Sequence, residues 1–139
     1  VAERELIATL VSRNKACRFC MQAHTAATDL LYGECETAEK VKQDIETAPV
    51  SEKMKALLTI ARQVQQSGKN VTSQSVERAK KAGATDIEIH DTVLISAAFC
   101  MINRYVDGLG TSAPEDREFY IERGPHRAEE GYTHYDPNK

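Results

Sequence analysis

The stretch IEIHDTVLISAAFCMINRYVDGLG, residues 87–110, limits what this chain can fold into more than any other. Ahead of it, Thr85-Asp86-Ile87-Glu88 fits a capping box, in which Thr85 and Glu88 satisfy each other's free backbone amides. Residues 87–110 read as one long helix whose middle, Val93 to Ile102, is nearly all apolar. A helix that is apolar all round belongs inside, so this segment is expected to run through the core.

The other segments are also helical in period. Leu6, Ile7, Leu10 and Val11 form a stripe over residues 3–13, and Ser12-Arg13-Asn14 reads as a break. A second helix is expected from about Lys15 to Leu31, stopping before Gly33 as a C′ residue. Residues 38–46 predict a short charged helix with Val41 and Ile45 inward, ended before Pro49. Ser51 can cap a helix from Glu52 to Gln66, whose Met54, Leu57, Leu58, Ile60, Ala61 and Val64 recur at helical spacing up to Gly68. Residues 73–82 predict a short helix closing at Gly83, and Ser112-Ala113-Pro114-Glu115 starts another that reaches about Arg123. The remainder, GPHRAEEGYTHYDPNK, has no period and reads as a tail ordered by packing on the same or a neighbouring subunit. With no convincing strand or repeat, the expectation is an all-α fold of helical hairpins, 3–13 with 15–32 and 73–83 with 86–109. A helical domain over 1–110 is followed by a short helix and extended tail over 111–139.

At 139 residues the chain is long enough for one domain with a real core. Its net charge is −3 and its basic residues are interspersed with acids, which gives nucleic-acid binding little support. No apolar run approaches the ~20 residues of a membrane helix, and no signal-peptide pattern is present. A cytoplasmic location is the default expectation. The chain starts at Val1, without an initiating Met and in what reads as the inside of a helix, so preceding residues are expected. Four cysteines, 17, 20, 35 and 100, are too few for a disulfide scaffold. A close pair with two scattered partners points to redox chemistry or metal binding at the pair.

That pair lies in ELIATLVSRNKACRFCMQAH, residues 5–24. On a helix, Cys17, Cys20 and His24 fall at i, i+3 and i+7 and share a face. Two cysteines on a first helical turn can form a disulfide with little backbone movement. Free amides and the helix dipole at that turn are expected to favour thiolate over thiol. His24 can take the thiol proton, and Glu5, on the preceding antiparallel helix, can fix its tautomer.

The pattern resembles the alkylhydroperoxidase D-like group of the carboxymuconolactone decarboxylase superfamily: Glu, eleven residues, Cys-x-x-Cys, three residues, His. Glu5, Cys17, Cys20 and His24 match it without a spacing change. The likeness covers SRNKACRFCMQAHTAA and returns at INRYVDGLG, where the family has Asn-Arg-x-x-Asp. It implies an all-helical subunit, a trimeric or hexameric homo-oligomer, and reduction of a hydroperoxide through a cysteine disulfide cycle. Cys20 would attack peroxide, activated by His24 and Glu5; Cys17, nearer the helix start and solvent, would resolve the sulfenic acid and face an external dithiol reductant protein. Two departures stand out. Well-studied members have a second histidine between the cysteines, where this chain has Phe19. Decarboxylase members lack the cysteine pair, which argues against lactone decarboxylation. The segment beyond about residue 111 resembles the longer peroxidase-related members.

Other readings compete. Either cysteine taken alone reads as a small buried residue. Zinc is the main chemical rival, with Cys17, Cys20 and His24 as ligands and Cys35, Cys100 or Glu5 as a fourth, but no second close ligand pair exists. Covalent haem attachment fails because Met21 follows the second cysteine. No Gly-x-Gly-x-x-Gly or phosphate loop is present, and no cofactor is expected. Cys35 reads as incidental, Cys100 as core, His90 as surface, and His126 and His134 as tail residues. Tyr32, Tyr105 and Tyr120 read as core or interface aromatics. Asn103 and Arg104 can line the site, or serve burial or an interface equally well. The functional expectation is a thiol peroxidase or disulfide reductase. The alternatives are a non-catalytic redox sensor or assembly domain and a zinc module.

Overall fold

The computed structural model describes residues 1–130; the expectations for His134 and the rest of 131–139 lie outside them. The chain is all-α, and the described residues contain no strand. Its elements are α1 (Ala2–Asn14), α2 (Arg18–Tyr32), α3 (Glu36–Gln43), α4 (Glu52–Gln66), a 3₁₀ turn (Gly68–Asn70), α5 (Ser73–Lys81), α6 (Asp86–Gly108), α7 (Glu118–Ile121) and α8 (Gly124–Glu130).

Local chemistry explains most boundaries. Ser51 Oγ accepts from the Met54 amide at 3.1 Å, and Thr72 Oγ1 does the same for Ser75, each satisfying an amide the helix leaves free. The capping box before α6 is complete: Thr85 Oγ1 accepts from the Glu88 amide, and Glu88 Oε2 accepts from the Thr85 amide at 2.7 Å. Gly33 ends α2 at φ 73°, the left-handed conformation expected of it. The break between α1 and α2 falls later than Ser12-Arg13-Asn14, because α1 continues to Asn14. Its turn is a Schellman motif. The Cys17 amide donates to Ser12 O and the Ala16 amide to Arg13 O, both at 3.1 Å, with Ala16 at φ 58°. Alanine pays roughly 1–2 kcal/mol for that left-handed conformation, which a glycine would not.

The helix through the core is α1, not α6. Leu6 through Val11 and Ser12 are all buried, and α1 packs against α2, α3, α4 and α6. α4 supplies Met54, Leu57, Leu58, Ile60, Ala61 and Val64 to the same core, and Val41 and Ile45 close it. The expectation for Val93–Ile102 is therefore corrected. α6 buries Thr92, Ser96, Phe99 and Asn103, whereas Val93, Leu94, Met101, Tyr105 and Leu109 are exposed. Its inner face can be polar because each hydroxyl finds a partner: Thr92 donates to Glu88 O at 2.8 Å and Ser96 to Thr92 O at 2.6 Å. Cys100 is half-buried at the core edge, with its thiol 3.8 Å from Gln65 O.

The segment after α6 runs along the outer side of α2. Tyr120 is buried against Ala23, Ala26 and Phe19, and its hydroxyl donates to Pro114 O at 3.0 Å. Arg117 pairs with Asp29 at 2.9 Å. Residues 124–130, which show no hydrophobic period, nevertheless form α8. Packing on α2, with Gly124 beside the Ala26 carbonyl, stabilises what local propensity alone would not. No helix among the described residues is long and apolar enough to cross a membrane.

Candidate active site

The α1–α2 hairpin brings Glu5 and His24 together. His24 Nδ1 lies 2.6 Å from Glu5 Oε2 in a buried setting. A carboxylate only accepts, so Nδ1 carries the proton and Nε2 keeps the lone pair. His24 is further fixed by Phe99, whose ring stands edge-on at 4.6 Å between centroids and 85° between planes. Thr28 donates to the His24 carbonyl at 2.8 Å and lies 3.3 Å from Thr9 Oγ1, tying the two helices together behind the ring. Burial pulls the His24 pKa below its ordinary 6.5, and the Glu5 hydrogen bond and charge only partly oppose this.

Cys17 is the N-cap residue of α2 and Cys20 lies in its first turn, one turn before His24. Both thiols are free and interact with each other. Two expectations are corrected. Cys17 does not face solvent: it is 0% exposed and Cys20 only 4%. The Schellman turn folds Cys17 inward by tying its amide to Ser12 O. Nor does the helix start hold the pair as thiolates. Burial dominates, pushing Cys17 up to about 12 and raising Cys20 as well.

Two charged residues without a site role in the sequence reading act on the pair. The Asp107 carboxylate, near the end of α6, raises the Cys17 pKa further and so favours the protonated sulfur. Arg127 of α8 has the opposite effect on Cys20, its positive charge favouring thiolate there. Asp107 was legible only as part of the Asn-Arg-x-x-Asp stretch, and Arg127 sat in a segment with no period to flag it. Asn103 is buried and its Oδ1 accepts from Ser12 Oγ at 3.1 Å, while Arg104 is exposed and bonds the Cys100 carbonyl. Phe19 stacks edge-on with Tyr120 at 6.0 Å, so it fills an outer aromatic contact where the family pattern has a histidine. Cys35 is exposed, with its sulfur 3.3 Å from Arg117 Nη2. His90 is exposed. Among the described residues, no group of three or more His, Cys, Asp or Glu is arranged to hold a metal ion.

No family model matches the chain. No curated protein matches it either. Solved structures do. An uncharacterized peroxidase-related protein from Silicibacter sp. TM1040 superposes with a TM-score of 0.77 at 25% identity, over 86% of this chain and 61% of its own. An uncharacterized peroxidase-related protein from Ralstonia eutropha JMP134, described as an alkylhydroperoxidase AhpD core, superposes at 0.78 with 24% identity, over 88% and 63%. The chain thus spans somewhat over three fifths of the length of each of these structures.

Proposed function

We propose, starting from the AhpD-like, peroxidase-related fold that this chain has, that it is a thiol-dependent peroxidase acting on hydroperoxides. The observation that carries the reading is the 2.6 Å Glu5–His24 pair one turn from a buried, mutually interacting Cys17–Cys20 dithiol. Glu5 holds the His24 tautomer with the lone pair on Nε2, and His24 takes the Cys20 proton. The Cys20 thiolate attacks the terminal peroxide oxygen; an S–O bond forms, the O–O bond breaks, and the alcohol leaves with the proton. Cys17 then displaces water from the sulfenic acid to give the disulfide, which an external dithiol protein reduces. Arg127 offsets part of the burial penalty on the Cys20 anion. With Phe19 in the outer aromatic contact, the relay runs through His24 alone.

The test is hydroperoxide consumption with a dithiol reductant by wild type, Cys20→Ser, Cys17→Ser and His24→Ala. We expect turnover by wild type, none by either serine variant, and a loss of roughly 10²-fold or more for His24→Ala. Wild type matching the enzyme-free rate would remove the reading. A second reading, a redox-sensing or assembly role, draws support from the exposed apolar side of α6, which suits packing against further copies of the chain. It predicts a redox-dependent change in size-exclusion volume without turnover; identical profiles for the reduced and oxidised protein would count against it.

A further inference from the structure

Asn103 is 1% exposed, yet its side chain is only half satisfied. Its Oδ1 accepts from the Ser12 hydroxyl at 3.1 Å, whereas its Nδ2, a donor only, has no acceptor among the described residues. Asp29 and Gln63 each carry an unpartnered oxygen, but both residues are only partly buried. An amide N–H group shut away from water without an acceptor is costly, and native folds keep few of them.

The helices place this donor next to the reactive groups. Phe99, one turn before Asn103 on the same face of α6, stands against the His24 ring. Asn103 itself meets Ser12, whose carbonyl accepts from the Cys17 amide at 3.1 Å. The step from Phe99 to Asn103 therefore leads from the level of His24 towards that of Cys17. On α2 the matching one-turn step leads from His24 to Cys20. Each step covers about 6 Å along its helix, so Asn103 and Cys20 fall at one level between His24 and Cys17. One turn further along α6, the Asp107 charge raises the pKa of both cysteines.

We propose that Asn103 Nδ2 is a catalytic hydrogen-bond donor to the hydroperoxide oxygen on which charge develops as Cys20 is oxidised. The proposal deepens the thiol-peroxidase reading and rests on it. The Cys20 sulfur, its proton passed to His24, attacks the terminal oxygen. The S–O bond forms, the O–O bond breaks, and negative charge grows on the inner oxygen. That oxygen accepts from Asn103 Nδ2 and leaves as the alcohol with the proton from His24. One thiol and one hydroperoxide become one sulfenic acid and one alcohol; the amide lends a hydrogen bond and gives up no proton. The resting dithiol offers the amide only protonated sulfurs, which are weak acceptors. Ser12, itself 0% exposed, fixes the other end of the amide, so the donor has no reorganisation to undergo when charge appears.

The test compares an oxidant that reacts through oxygen with one that reacts through sulfur. Wild type, Asn103→Leu and Ser12→Ala/Asn103→Leu, all in a Cys35→Ser/Cys100→Ser background, are reduced and mixed with tert-butyl hydroperoxide or with 4,4′-dithiodipyridine. Thiol loss and thiopyridone release are followed in a single turnover. The double variant replaces both hydrogen-bonding partners by apolar groups and leaves the Ser12 carbonyl in place for Cys17, so a urea midpoint at or above that of wild type is expected. We expect the hydroperoxide reaction of both variants to slow by roughly 10²-fold while the aromatic-disulfide reaction stays within about twofold. Equal hydroperoxide rates in wild type and the double variant overturn the proposal. Equal slowing with both oxidants also overturns it, because the amide would then support the dithiol and not the peroxide oxygen. Wild type that reacts with the aromatic disulfide but not with hydroperoxide sinks the peroxidase reading itself, and the donor role with it.

Discussion

α4 and α6 pack against each other and against α1, yet they place their apolar residues in opposite ways. In α4 the large apolar side chains turn inward and the charges turn out, so Met54, Leu57, Leu58 and Ile60 are all within 2% of full burial. In α6 the inward residues are Thr92, Ser96, Phe99 and Asn103, while Leu94, Met101 and Tyr105 are 57–67% exposed. α4 is a scaffold helix with one dry face. α6 has two working faces: an inner one that meets His24 and Ser12, and an outer apolar one. An inner polar residue holds one arrangement of its partners, whereas an apolar neighbour tolerates several, and that suits the α6 inner face to positioning a reactive group.

Leu58→Ala in α4 against Met101→Ala in α6 tests the contrast most severely. Leu58 is fully buried, so its truncation should cost about 2–5 kcal/mol in urea unfolding. Met101→Ala should change monomer stability by less than about 0.5 kcal/mol. Equal losses would show that the outer face of α6 is as much a core as α4.

The inner face can be probed through His24. Its folded pKa lies below its ordinary 6.5, so between the two values the unfolded chain binds a proton that the folded one excludes. Stability should be level above about pH 6.5 and then fall as pH drops, by at most about 1.4 kcal/mol per unit, until the folded pKa is reached. His24→Gln should remove this component of the slope. A slope that the substitution leaves unchanged would assign the acid sensitivity elsewhere.

The smallest effect on fold stability, though not on assembly, is expected from Leu94→Lys/Met101→Lys. Circular dichroism should keep its helical signal, while light scattering should report a smaller particle than wild type. An unchanged mass would leave the outer face without a role in self-association.

Much of the fold was legible because its signals are local. Ser51, Thr85 with Glu88, and Gly33 act within a few residues of themselves, so the start of α4, the start of α6 and the end of α2 could be read directly. The end of α1 escaped because Ala16 occupies a position where glycine is the usual marker. The path of α6 escaped because a segment apolar on both faces has a helical period but no preferred side. Its orientation was set by hydroxyl and amide partners on α1 and by the backbone of its own preceding turns.

The candidate site divides in the same way. Spacing alone put Cys17, Cys20 and His24 on one side of a helix and Glu5 on the helix that returns to it, because a short antiparallel hairpin leaves little freedom. Spacing did not determine the state of the thiols. The helix start favours thiolate by its dipole, but the Schellman turn and the packing of α6 and α8 removed the water that would stabilise the anion, and desolvation outweighed the dipole. Asp107 and Arg127 joined the site from 87 and 107 residues beyond Cys20, through contacts that no local pattern records. Residue order was therefore enough to say which reactive groups share a helix face. How dry that face is, and which charges look at it, came from the packed helices, since burial and through-space fields depend on what lies opposite.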